Sequence, residues 1–91
     1  MKLVSPAIEQ LRKKIEETDA VIIQTLAKRQ ELSKQIGQLK SIHGKDIVDP
    51  PREKKLFEFY ENLSERYQLE QDFIKKLFRL IIDYSKKVQG L

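Results

Sequence analysis

Between Pro6 and His43 the chain holds one glycine, Gly37, and no further proline, and this unbroken stretch constrains the fold more than any other feature. Ser5 before Pro6 is a helix N-terminal cap with proline in the first turn, and Gly44 can supply the left-handed C-terminal cap. A helix of about 38 residues rises ~57 Å, nearly twice the ~30 Å width of a globule of this chain length. It cannot be packed by its own chain alone. Ile8, Ile15, Ile22, position 29 and Ile36 form a heptad series, with Leu11, Leu32 and Leu39 on the neighbouring line. Such a seam pairs helices between subunits, so an intertwined homodimer is expected.

The other glycines and prolines cluster at Gly44, Pro50, Pro51 and Gly90, the punctuation of a helical protein. Asp49 before Pro50 and Pro51 repeats the start signal, and Leu56, Tyr60, Leu63 and Tyr67 then recur at helical spacing. After a break near 68–70, Ile74, Leu77, Phe78, Ile81, Ile82 and Val88 mark a third helix. The fold class is therefore all-α, with three helices per protomer and a very long first one, in one domain covering 1–91.

Composition narrows the chemistry. The 91 residues are 35% charged and 40% apolar, an ordinary soluble balance, and their core must be thin. With no cysteine and His43 as the single histidine, thiolate and multi-histidine metal sites and cysteine nucleophiles are excluded. No apolar run approaches the ~18 residues of a membrane span, and the N-terminal apolar stretch is too short for a signal peptide. A cytoplasmic protein with no membrane partner is expected.

Three departures from the apolar pattern carry the functional information. Arg29 takes the place of an isoleucine in the heptad series, where a buried guanidinium needs a carboxylate from the protein or from a ligand. Lys40 lies only about 20° around the helix from it and ~16 Å along, so the two could grip a small anion between them. A register-setting polar residue and a solvated lysine would read the same way. Ser85 and Gln89 continue the Phe78 and Ile82 line with polar groups, as a frayed last turn also would. Asp49, Arg52 and Glu53 place a cation and two carboxylates at the opening of helix 2, which by itself is helix capping.

Arg12, Arg29, Lys40, Asp49, Arg52, Glu53, Ser85 and Gln89, taken in order, closely resemble the polar set of the all-helical chorismate mutases. The likeness covers essentially the whole chain. It runs from Leu11-Arg12-Lys13-Lys14-Ile15 and Asp19, through Ala27-Lys28-Arg29 and Gly37-Gln38-Leu39-Lys40, to Asp49-Pro50-Pro51-Arg52-Glu53 and the segment from Leu77 to Ser85. The resemblance implies a three-helix protomer, a domain-woven dimer, and rearrangement of chorismate to prephenate on the way to phenylalanine and tyrosine. Glu70 departs from the aspartate that commonly caps helix 3 in the family.

That reaction suits the composition, because a unimolecular pericyclic rearrangement needs no nucleophile, acid–base pair, metal or cofactor. By resemblance, Arg29 and Arg12 are the main carboxylate binders, assisted by Arg52 and Ser85. Lys40 and Gln89 face the ether oxygen, and Glu53, with the backbone near Asp49, takes the ring hydroxyl. Geometry adds that Arg12 lies ~25 Å before Arg29 on a straight helix, too far for both to hold one small ligand within a protomer. Arg12 is thus expected from the partner chain.

Isochorismate-pyruvate lyase shares the fold and a related set of cations; Glu53 favours the mutase, since the lyases resemble the pattern without it. A non-catalytic helical dimerisation module would keep the seam and use none of the polar set. A nucleic-acid module would draw on the pI near 9.4. Against it, basic and acidic residues alternate along every helix, with no aromatic platform interleaving a basic stripe. These residues leave no room for a second activity or for a domain binding phenylalanine or tyrosine, so feedback inhibition is not expected of them alone.

Overall fold

A computed structural model describes residues 5–44 and 50–90. Three helices follow one another: α1 Pro6–His43, α2 Pro50–Arg66 and α3 Gln71–Val88. The all-α expectation holds, as do the three elements and their approximate limits. The expected Asp49 cap lies outside the described residues.

The ends of the helices follow from local chemistry. The Ser5 hydroxyl oxygen accepts a hydrogen bond from the Ile8 N–H at 3.2 Å, satisfying one of the donors that the first turn leaves open. Gly44 closes α1 at φ 65°, a left-handed conformation that glycine adopts without a Cβ penalty. At the end of α2 the Leu69 N–H reaches back to the Ser64 carbonyl and the Gln68 N–H to that of Glu65, while Gln68 itself has φ 56°. This paired return is a Schellman closure, built here on a non-glycine residue. It stops α2 at Arg66, which leaves Tyr67 beyond the helix and exposed, although its spacing extends the apolar stripe. Glu70 begins α3 without a side-chain capping bond, in keeping with its departure from aspartate.

Contacts divide the chain into two compact units, Met1–Glu31 and Leu32–Leu91. The second contains the core. α2 and α3 pack on each other, burying Tyr60, Ile74 and Ile82 with Leu56, Phe57 and Phe78 against them. Tyr60 stacks on Phe78 at 4.2 Å between ring centroids and meets Phe57 edge-on at 5.5 Å. Losing the Tyr60 ring would cost roughly 3 kcal/mol, a large share of the stability of a domain this small. Ser64, 1% exposed, returns its hydroxyl to the Tyr60 carbonyl, so its polarity is satisfied inside the helix pair.

α1 is different. Ile8, Leu11, Ile15, Ile22, Leu32, Ile36 and Leu39, the two lines of the heptad seam, are 45–58% exposed in the single chain. A contiguous apolar face of this kind marks an interaction surface. Among the described residues, no helix is long and apolar enough to cross a membrane.

Candidate active site

In the unit Leu32–Leu91, α1 meets the backbone of Gln89, the residue just after α3. Gly37 is buried, and a Cβ built there would lie 2.8 Å from both the Cα and the carbonyl oxygen of Gln89. The glycine in the middle of α1, costly for a helix, is therefore the residue that lets the chain after α3 lie against it. Ser33, one turn earlier, is buried as well. Lys40, three residues beyond Gly37 and so on the same side of α1, is half-buried.

Gln89 follows α3 as its C-terminal cap, its N–H bonded to the Ser85 carbonyl at 2.9 Å. Its side-chain Oε1 is buried and has no hydrogen-bond partner among the described residues. An amide oxygen in that condition costs about 1–3 kcal/mol, which marks the side chain as one held for something other than packing. Ser85 is buried and donates its hydroxyl to the Ile81 carbonyl at 2.9 Å.

Glu53 stands in the first turn of α2 and is held from α3. Lys86 Nζ lies 2.8 Å from its Oε1, and Arg79 Nη1 donates to its Oε2 at 3.4 Å. The Lys86 hydrogen bond, helped by the Arg79 charge, holds the Glu53 carboxyl below the ordinary glutamate value despite some desolvation. Arg79 also reaches Asp83 at 3.7 Å and covers the Phe57 ring at 4.7 Å, which fixes its plane. The reading from sequence missed Lys86 and gave Arg79 no role. A signal was present: the two cations stand seven residues apart, on one face of α3, where an acidic partner on a neighbouring helix is the natural complement.

The remaining positions divide simply. Arg52 is exposed beside Glu53 on α2. Arg29 is half-buried and Arg12 exposed, both in the unit Met1–Glu31. Arg12 pairs with Glu9 at 3.1 Å on its own helix surface, with both side chains more than half exposed, a contact worth little in water. Asp49 lies outside the described residues. The structure thus gathers Ser85, Gln89 and Glu53 around the last turn of α3, with Gln89 against α1 one turn from Lys40. Chemically this is a cation, an amide, a hydroxyl and an anchored carboxylate, a set suited to binding and orienting a polar anionic molecule.

Comparison with known proteins bears on what that molecule is. A family model described as chorismate mutase type II matches residues 11–90. The chain is 30% identical over 82 residues to the chorismate mutase of Methanocaldococcus jannaschii, covering 90% of this chain and 83% of that one. It is 34% identical over 79 residues to the bifunctional chorismate mutase/prephenate dehydratase of Escherichia coli strain K12, and 38% over 78 residues to that of Buchnera aphidicola from Schizaphis graminum. Each of these two alignments covers 20% of the bifunctional relative, so the chain spans about a fifth of their length.

Proposed function

The chain belongs to the type II chorismate mutase family and is an isomerase acting on chorismate to give prephenate, and from that premise we propose how its residues divide the work. The observation that carries the reading is the family match across residues 11–90, which spans the described site residues from Arg12 to Gln89.

Chorismate must fold its enolpyruvyl arm over the ring before the new carbon–carbon bond can form. Arg29 and a partner-derived Arg12 hold the two carboxylates, with Arg52 and Ser85 assisting, and so select the compact conformer and lower the entropic part of the barrier. Lys40 and the Gln89 amide donate to the ether oxygen. That oxygen gains negative charge as its bond breaks, so their hydrogen bonds strengthen in the transition state. The Gln89 side chain is buried with its Oε1 unpartnered among the described residues, which supports a polar ligand against this amide. Glu53, with the backbone near Asp49, accepts the ring hydroxyl. No metal or cofactor is needed for a pericyclic step.

Residues 1–91 act as one mutase domain in a cytoplasmic homodimer, without nucleic-acid or membrane partners. The open apolar face of α1 supports the dimer, and the ~25 Å between Arg12 and Arg29 along α1 supports sharing of each site between chains. Isochorismate-pyruvate lyase is the second reading, and Glu53, anchored as an acceptor, favours the mutase. The test is to supply purified protein, in the presence of a chelator, with chorismate and with isochorismate. Prephenate from chorismate is the expected product; pyruvate released from isochorismate at a higher kcat/KM would reverse the choice.

A further inference from the structure

Two ion pairs join α2 to α3 at the same 2.8 Å separation, and they differ in what surrounds them. Lys75–Glu61 has both side chains about 40% exposed, so solvent screens it. Lys86–Glu53 has side chains 24% and 21% exposed, and its carboxylate is also held by Arg79 through the second oxygen. Glu53 is thereby gripped at both oxygens by groups from one helix, with Phe57 stacked behind Arg79 and Asp83 balancing it. The groups on α3 that face Glu53 are Arg79 and Lys86, with Asp83 behind; Arg52 and Lys54 are its charged sequence neighbours on α2. A carboxylate has room for about four hydrogen bonds, and the ties to Lys86 and Arg79 take two of them among the described residues.

The position of Lys86 gives this grip its meaning. It lies between Ser85 and Gln89 on the last turn of α3, so the residue that fixes Glu53 belongs to the turn carrying two other site residues. We propose that Lys86 is a positioning residue for the reaction: it aims the Glu53 carboxylate, from α3, as a dedicated acceptor for the substrate's ring hydroxyl. Arg79 steadies the other oxygen. This rests on the assignment of Glu53 to that hydroxyl. A carboxylate so held accepts and cannot donate, so the site rewards a substrate presenting a hydroxyl proton there and penalises one presenting an ether or a carbonyl oxygen.

The experiment compares Lys86→Met, Lys86→Arg, Glu53→Gln, the double variant Glu53→Gln with Lys86→Met, and Lys75→Met as the control for a plain α2–α3 tie. Steady-state kcat and KM for chorismate are measured alongside Tm and a carbon-detected NMR titration of the Glu53 carboxyl. Lys86→Met should raise the Glu53 pKa and lower kcat/KM about tenfold. Lys86→Arg should restore most of both, and Lys75→Met should leave kcat/KM unchanged. In the double variant the Lys86 change should add nothing to the loss caused by Glu53→Gln.

An unmoved Glu53 titration in Lys86→Met, or losses that multiply in the double variant, would overturn the proposal, the latter by showing that Lys86 acts apart from Glu53. If Lys86→Met fails to fold, the Lys86→Arg titration decides, since a guanidinium should hold the Glu53 pKa low where a merely structural tie need not. Wild-type kcat/KM in Glu53→Gln would instead defeat the hydroxyl assignment, and the proposal with it. A normal loss there with a silent Lys86→Met defeats Lys86 alone.

Discussion

A Cβ on Gly37 would stand 2.8 Å from both the Cα and the carbonyl oxygen of Gln89, closer than real side-chain carbons come to any backbone. The contact ties the interior of α1 to the residue proposed to face the breaking ether bond. Because the neighbour is backbone rather than a flexible side chain, it cannot yield without moving Gln89 itself.

Gly37→Ala should therefore lower kcat by about tenfold or more, the scale on which small misplacements of a donor act. Alanine is worth up to ~1 kcal/mol over glycine in an exposed helix, yet Tm should not rise here, because the displaced turn offsets it. Unchanged kcat together with a higher Tm would mean that the two backbones separate freely.

Lys40→Ala should reduce kcat far more than it raises KM. The ether oxygen acquires its charge only on the way to the transition state, so a donor aimed there binds the ground state weakly. A change confined to KM would place Lys40 on a carboxylate instead.

Gln89→Glu should retain activity at low pH and lose it as pH rises through the pKa of the new glutamate. The neutral acid can still donate to the ether oxygen, whereas the carboxylate repels it. A kcat profile parallel to the wild type from pH 5 to 8 would remove residue 89 from contact with the reacting oxygen.

Acid should weaken the fold partly through Glu53. Its folded-state pKa lies below the ordinary 4.5, so the unfolded chain takes up the proton first as pH falls. The stabilising contribution is thus fully present above the unfolded value and is lost as pH drops through the folded one. With the pair partly exposed it amounts to about 1 kcal/mol or less. Urea midpoints should show Lys86→Met below wild type near pH 7, with the two converging toward pH 3; a constant gap across that range would make the loss one of packing.

Mixing Arg12→Ala with Arg29→Ala tests site sharing. Each variant alone should be nearly inactive. In a mixed dimer, the site on the Arg12→Ala chain keeps its own Arg29 and borrows an intact Arg12, while the other site lacks both. Random exchange makes about half the dimers mixed, so activity should return to about a quarter of wild type. No recovery after demonstrated subunit exchange would require both arginines to serve one site from the same chain.

Ser5, Pro6, Gly44 and the apolar spacings of α2 and α3 determined the helices and their approximate limits from the sequence alone, because caps and 3.6-residue periodicity act within a few residues of one another. The length of α1 with its isoleucine series likewise announced an apolar face that the single chain leaves open. As a costly glycine inside a long helix, Gly37 leaves open from sequence alone whether backbone or a ligand approaches it. The tertiary structure decided for close approach, and it alone chose Lys86 and Arg79 as the partners of Glu53. Those pairings join residues 26 or more apart in the chain, and they depend on how α2 and α3 cross and in what register, which is set by the packing of Tyr60, Phe78 and Ile82. A cation on α3 carries no local mark of which carboxylate it will meet, because charge acts through space, and only the folded chain brings the two within range.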